Sequence, residues 1–485
     1  MNRKSLWLEG FQANKEKPIL NKKKVDILII GGGMAGMSTA FYLKDSDLDV
    51  MLIDKGTIGF GATAYTTAKI SYLQELPYQK IEKMHGMDAA KLYYKSQKQA
   101  FDQIAHNIET YHIDCDYQKV NEYILATSSS DISKIKKEQR YFEKWNIPHF
   151  HVDSLPVSIP IQYGFGVEGA VFHPLKYLYG LKKQIQDKLT IYENVFTKEI
   201  HQKDDNYIVE TDLGDIEAKY VVVATQYPFF VTPGYIPLKT HVEKSYVIAS
   251  KTKDTHDFAC ITTGIPMHSI RYHKDYLLYG SYAHALTNHL DDEKNFENMK
   301  ERFHSHFEQD INYIWFNQDL IPNDGLPFIG ETEKDSHLFI ATGFHTWGMT
   351  NGTIAGIVIS DLIQKGYSPY EDLFAVKRNW NLTRIGHFFV DASRYGKIYL
   401  QTILIKNPKF YHNNVCVMYE DDKRIGIYVD ENGVKHKVLN QCPHMKCNLI
   451  FNEKEKTWDC PCHSSRFDID GNVIRGPSVH SIKIS

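Results

Sequence analysis

Long apolar runs are missing from this chain of 485 residues. A membrane-crossing helix needs about 18 or more consecutive apolar residues, and no stretch approaches that. The opening "MNRKSLWLEGFQANKEKPILNKKK" also lacks an apolar core of signal-peptide length ahead of its lysines. Together these absences predict a cytoplasmic protein without a transmembrane segment. Charge of one sign is not in excess either: 56 Lys and Arg against 59 Asp and Glu leave a net charge of -3. That balance gives no electrostatic footprint for nucleic acid or anionic lipid. Internal repeats, low-complexity tracts and Gly/Ser-rich linkers are absent as well. What remains is an ordinary composition, 42% hydrophobic and 24% charged, on a chain too long for one core. It predicts two or three domains and a small-molecule enzyme.

Cysteine is scarce, with seven in the whole chain. Cys115, Cys260 and Cys416 stand alone and read as small buried side chains. The other four fall in "CPHMKC" (442–447) and "CPCHSS" (460–465), so the sulfur is concentrated in one place. At the opposite end, "KVDILIIGGGMAGMSTAFYLKD" begins with the β-branched run Val25 to Ile30, which reads as a buried strand ended by glycine. Gly31, Gly33 and Gly36 fit G-x-G-x-x-G, and Met37, Ala40, Phe41 and Leu43 follow at helical spacing. The first glycine makes the turn, the second lets the backbone approach a pyrophosphate, and the third lets the helix pack on the strand. A second apolar run, "DVMLID", ends at Asp54, where a carboxylate can accept hydrogen bonds from a ribose. Strand, turn, helix and acid together predict dinucleotide binding.

The Gly, Ala and Thr-rich stretch after Asp54, "KGTIGFGATAYTTAKIS", resembles the D-amino-acid oxidase and glycine oxidase superfamily of FAD enzymes. "YVVVATQYPF" (220–229) looks like the strand returning to the nucleotide sheet. "DGLPFIGETEKDSHLFIATGFHTWGMTNGTIAGIVISDLI" (324–363) is similar to the C-terminal flavin motif. The resemblance implies FAD, held by Gly31, Gly33, Ala35, Gly36, Asp54, Lys55, Thr63, Thr66, Thr67, Ala68, Thr197, Ala224, Thr225, Gly343, Phe344, Gly348, Met349 and Thr350. It also implies that a helix starting near Thr350 turns its positive end toward the flavin pyrimidine. Two departures stand out. Thr63 to Ala68 are bulkier than the Ser-Gly-x-Asn-Gly-Gly loop of many relatives, and Gln226 replaces a frequent glycine.

In the C-terminal cluster, Cys442 and His444 form C-x-H; Cys460 and His463, after fifteen intervening residues, form C-x-x-H. Two thiolates and two imidazoles on two loops suit a Rieske [2Fe-2S] cluster. Zinc also accepts Cys2His2, but zinc fingers usually pair like with like, whereas each loop here supplies one Cys and one His. The segment resembles the Rieske family, and within it the type found in respiratory cytochrome complexes. That resemblance implies a disulfide between Cys447 and Cys462, an unusual bond for a reducing compartment. Phe467, Gly471 and the loop Gly476 to Ser478 continue the family pattern. Lys446 and Ser464 stand where relatives often have glycine.

The expected architecture is an α/β FAD-binding Rossmann-type domain with an inserted mixed-sheet (α+β) substrate domain, followed by a small all-β Rieske domain. Residues 1–24 form an N-terminal extension and 25–400 the oxidoreductase. Its nucleotide-binding parts fall at about 25–74, 181–239 and 321–365, and its substrate parts at about 75–180 and 240–320. The Rieske domain occupies 410–485, docked rather than tethered. A flavin accepts a hydride and a [2Fe-2S] cluster takes one electron at a time, so the fusion predicts a dehydrogenase. It would oxidise a small amine or amino acid beside nitrogen and pass electrons through the cluster to an external acceptor. Arg271 is a candidate for a substrate carboxylate, and His284, His345, Trp347 and Tyr227 are candidates near the flavin. Two other readings stay open: an FAD oxidase with a structural cluster, and a redox sensor or electron carrier without its own substrate.

Overall fold

The β-branched run forms the strand Lys24–Ile30, deep inside an eight-stranded sheet. The computed structural model describes residues 3–229, 236–285 and 292–378, and in the C-terminal part 409–412, 414–421, 423–444, 446–453, 455–461, 465–476 and 478–484. Lys24–Ile30 pairs in parallel with Val50–Ile53 and Ile216–Val223. Thr190–Tyr192 and Leu338–Thr342 extend the parallel set, and Phe328–Glu331 closes one edge antiparallel. Parallel pairing demands crossovers, and the first is the helix Met34–Leu43. All of its residues but Tyr42 are buried, because it is packed between the sheet and the helix Gly348–Lys365. Gly36 makes the strand contact possible, since a Cβ there would stand 1.9 Å from Gly31 O.

A second, nine-stranded mixed sheet draws on Lys69–Ile70, Gln118–Ala126, Phe150–Val152 and Tyr163–Val171, and then on five strands between Thr240 and Pro322. Its parallel step joins Phe258–Thr263 to Gln118–Ala126, and the other pairs are antiparallel. The chain leaves the nucleotide sheet twice to build it. The C-terminal part is all-β, with two four-stranded antiparallel sheets around Trp458, Phe467, Val438 and Ile482. Trp458 is fully buried, and a Cβ on Gly426 would stand 2.6 Å from its ring. This is the expected fold class.

The N-terminal segment lies against the oxidoreductase. Leu6–Leu8 forms a 3-10 turn whose Trp7 N–H is accepted by Ser5 Oγ, and the Trp7 ring is fully buried with the His173 and His273 rings edge-on at 5.0 and 4.9 Å. A contact between the His480 imidazole and the Glu199 carboxylate, at 3.7 Å, joins the C-terminal part to the rest of the chain; both side chains are about half exposed. Residues 379–408, which hold most of the connecting segment, lie outside those described. Among the described residues no helix is long and apolar enough to cross a membrane.

Candidate active site and cluster loops

The glycine turn works as the motif requires. Gly31 has φ +108° and lies so close to Ala224 O that a Cβ would approach it to 2.8 Å. Gly33 precedes the helix without a side-chain cap, and a Cβ there would meet only Thr63 Oγ1, at 3.5 Å. Thr63 Oγ1 accepts the Met34 N–H at 3.1 Å, so this hydroxyl sits at the positive end of the helix with its own proton left to donate. Asp54 accepts the N–H groups of Gly32 and Gly56 at 2.7 and 2.8 Å. Its carboxyl is raised by burial, against which those two amide bonds act. Val195 donates to Asp54 O, which brings the start of Thr197–Lys203 alongside. The buried Thr197 hydroxyl has no partner among the described residues. An open cradle, a free helix end, a carboxylate and an orphaned hydroxyl fit a dinucleotide.

The second helix end is equally open. Gly348–Lys365 has no side-chain cap, and a Cβ on Gly348 would meet nothing within 4 Å. Gly352 and Gly356 let this helix touch Met34 and Ser38, so both N-termini serve one region. The loop before it is strained: His345 and Thr346 have φ +49° and +64° without being glycine. Buried amides brace it. Gln74 Nε2 donates to Gln97 Oε1 and Thr350 Oγ1, Gln97 Nε2 to Asn351 Oδ1, and Asn351 Nδ2 to Phe344 O. Ala224 N donates to Ile30 O, and Thr225 Oγ1 to Tyr227 O. Ala35 is buried in the first helix, and Lys55 is exposed.

Between this loop and the nine-stranded sheet lies a cavity of about 470 Å³. Thr66, Thr67, His345 and Trp347 line it, so the structure brings together sequence candidates far apart in the chain. Trp347 Nε1 is buried without an acceptor among the described residues. Burial, with Lys80 nearby, pushes the His345 imidazole down to about 3. Arg271 does not line the cavity. Its Nη1 donates to Thr67 O and Ala68 O, both at 2.8 Å, and to Phe172 O at 3.2 Å. His284 stacks on Tyr246, with centroids 5.9 Å apart, and its neighbour Ala283 rather than its own ring lines the cavity.

Two lining residues escaped the sequence reading. Lys69 is buried, and its Nζ donates to Ser269 Oγ at 2.7 Å and lies 5.6 Å from the Trp347 ring centre. No carboxylate comes within ion-pair range of it among the described residues, and burial lowers its pKa. Glu75, at φ +64°, also faces the cavity, and burial with Glu243 beside it raises its carboxyl to about 7. The one available signal for Lys69 was its place in "TTAKISY", a lone charge in a short strand-like run.

In the C-terminal part, Cys442 and Cys460 are buried and in no disulfide. The first loop is closed by Cys442 N to Cys447 O and Lys446 N to Cys442 O, at 2.8 and 2.9 Å. Lys446 has φ +59°, which explains why relatives often use glycine there. Cys460 N donates to Ser465 O at 2.7 Å, and Ser478 N to Ser465 Oγ at 2.9 Å, so the second and third loops are tied. His444 is half-buried, and burial lowers its imidazole to about 4, the neutral form that ligates a metal. Cys447 is disulfide-bonded. Cys462 and His463 lie outside the described residues, as does Ser464, and no group of three or more ligating side chains is assembled among the described ones. The donor chemistry nonetheless fits an iron-sulfur cluster, with neutral imidazole and buried thiol on hydrogen-bonded loops.

Residues 26–362 match the family described as FAD dependent oxidoreductase, and residues 406–484 match the Rieske [2Fe-2S] domain. A protein of Bacillus subtilis described as a Rieske 2Fe-2S iron-sulfur protein is 28% identical over 473 residues, covering 94% of this chain and 92% of the relative. Gamma-glutamylputrescine oxidoreductase of Escherichia coli is 24% identical, covering 75% of this chain and 89% of its own. Among solved structures, glycine oxidase from Geobacillus kaustophilus superposes with a TM-score of 0.62 at 16% identity, over 74% of this chain and 100% of that one.

Proposed function

We infer the reaction from one premise: this chain belongs to the FAD-dependent oxidoreductase family and ends in a Rieske [2Fe-2S] domain. It is an amine or amino-acid oxidoreductase. The finer reading is that it dehydrogenates a small amine or amino acid at the carbon next to nitrogen. A cluster, which Cys442, His444, Cys460 and His463 would hold, would supply one-electron relay of the electrons to an external acceptor. The relatives named for glycine and for gamma-glutamylputrescine support a nitrogen-bearing substrate.

The cavity beside Trp347 carries this reading. Bound FAD supplies a two-electron acceptor there, and the cluster a one-electron relay. Gly31, Gly33 and Thr63 would hold the pyrophosphate, Asp54 the ribose, and the amides of Gly348 to Thr350 the flavin ring. Trp347 and Val247 make apolar walls that keep water away. Lys69 presents a buried ammonium whose contacts are Ser269 Oγ and the more distant Cys260 O, both neutral. A substrate carboxylate at Nζ would supply a counter-charge within ion-pair range and orient the carbon next to nitrogen. Neutral His345 adds no second positive charge to compete with Lys69 for that carboxylate. In the C-terminal part, the Cys447 disulfide would reach Cys462 and tie the two cluster loops.

Anaerobic addition of amines and N-methyl amino acids to the purified protein tests the reading. Flavin absorbance should bleach with one of them, and the electron paramagnetic resonance signal of a reduced Rieske cluster should follow. Bleaching that never reduces the cluster, with full turnover in oxygen, would favour an oxidase with a structural cluster.

A further inference from the structure

The segment 65–68 ends in an unusual arrangement: each of its four carbonyls is held by a buried side-chain donor from elsewhere in the chain. Trp315 Nε1 donates to Tyr65 O at 3.0 Å, Trp7 Nε1 to Thr66 O at 2.6 Å, and Arg271 Nη1 to Thr67 O and Ala68 O at 2.8 Å each. The three donors come from the N-terminal turn Leu6–Leu8, the strand His268–His273 and the strand Ile311–Pro322. Their exposures are 0%, 1% and 3% for Trp7, Arg271 and Trp315. Indole and guanidinium are flat, stiff donors, so each fixes a direction as well as a distance. The Arg271 carbon also lies 5.3 Å from the Trp7 ring centre, which makes two of the three donors one packed unit.

Such anchoring answers a local problem. Ala68 has φ +55°, a conformation that glycine adopts at little cost and alanine does not. No glycine lies between Ala62 and Ile70 to make this turn easy. With the carbonyls drawn into the clamp, Thr66 and Thr67 line the cavity on the other side.

We infer that Trp7, Arg271 and Trp315 form a clamp that sets the segment 65–68 against FAD, with Trp7 a positioning residue lying outside the family-matched region. The inference rests on the reading above that FAD occupies the groove beside this segment. The N-terminal segment thus bears on the flavin site through Thr66, which lines the cavity.

The test uses the full chain and reads FAD dissociation and the visible circular dichroism of bound flavin. Trp7→Phe keeps an aromatic ring and removes the N–H. It should weaken FAD binding about five- to ten-fold, the worth of one buried hydrogen bond, and alter the flavin dichroism. Trp7→Gly leaves an indole-sized space that can be filled from solution. Indole should restore both readouts; benzothiophene, of the same shape without the N–H, should restore thermal stability alone. The clamp is overturned if Trp7→Phe binds FAD with unchanged affinity and dichroism, or if benzothiophene restores both as fully as indole. Should Trp7→Gly fail to fold with either compound, Trp7→Phe decides alone. Wild-type protein that binds no FAD would overturn the underlying reading, and the clamp with it.

Discussion

Lys69 Nζ stands 5.6 Å from the centre of the Trp347 ring, which joins the second strand system to the loop that opens the last long helix of the oxidoreductase. A buried ammonium whose hydrogen-bond acceptors are neutral is costly, even with the Glu122 carboxyl nearby, and a bound carboxylate relieves that cost. Lys69→Met should therefore raise KM for carboxylate-bearing substrates by about 100-fold, as expected when one partner of a buried charge pair is removed. kcat should fall much less, because the anchor holds ground state and transition state alike. Amines without a carboxylate should be affected weakly. Steady-state kinetics on a matched amine and amino-acid pair checks this; equal losses for both would reject Lys69 as the anchor.

Glu122 gives a prediction about stability and pH. Burial raises its carboxyl to about 7, with Lys69 pulling the other way, and the side chain is 2% exposed. Between about 4.5 and 7 the folded protein holds a proton that the unfolded chain has released. Stability therefore falls as pH rises through that window. Glu122→Gln removes the titration, so the variant should lose less stability from pH 5 to pH 8 than the wild type, by up to about 3 kcal/mol at the upper end. Denaturant melts at the two pH values measure it. Parallel curves for the two proteins would show that Glu122 does not carry the effect.

Packing at the glycine turn separates two kinds of glycine. A Cβ on Gly36 would sit 1.9 Å from Gly31 O, so Gly36→Ala must push the first helix off its strand. FAD binding should be lost, together with about 3 kcal/mol of stability, the upper end of what overpacked core sites show. Gly366, past the end of the helix Gly348–Lys365, has φ +71° and open space around it. Gly366→Ala should cost only about 1 kcal/mol of backbone strain and keep FAD. If the two variants behaved alike, close approach to Gly31 would not govern Gly36.

These cases show where the sequence was informative. Gly31, Gly33, Gly36 and Asp54 act through neighbours close in the chain or through one predictable strand pairing, so their spacing betrays them. Cys442, His444, Cys460 and His463 are similar, because the ligand set proposed for the cluster falls in two short sequence motifs. Lys69 depends on Ser269, 200 residues away, and Trp7 on Thr66, 59 residues away. No local pattern encodes such pairings. Arg271 was visible as a strand arginine and a candidate for a substrate carboxylate, but only the fold shows it buried, with its guanidinium spent on Thr67 O, Ala68 O and Phe172 O.

The cluster should be separable from the flavin. Cys442 and Cys460 are buried in the C-terminal core, and the dinucleotide cradle lies wholly upstream. Cys442→Ser should abolish bound iron and sulfide while FAD stays at one per chain. Acid precipitation should then release the yellow chromophore into the supernatant, since the expected attachment is non-covalent. Iron retained at the wild-type level would mean that Cys442 is not a ligand.

The order of reduction tests the joined chemistry most directly. Histidine-ligated clusters have potentials of about -150 to +300 mV, above those of all-cysteine plant-type clusters, so electrons arriving two at a time at the flavin have a downhill path. After rapid anaerobic mixing with substrate, flavin bleaching should come first and the reduced-cluster signal second. The link between the two parts bears on the rate of the second step. His480 and Glu199 are 3.7 Å apart and about half exposed, and such surface pairs contribute about 1 kcal/mol or less. Glu199→Gln should therefore leave the second step within about three-fold of wild type. A transfer within one chain should also be independent of protein concentration. A rate that climbed in proportion to concentration would mean that electrons cross between molecules, and the cluster would then serve flavins other than its own.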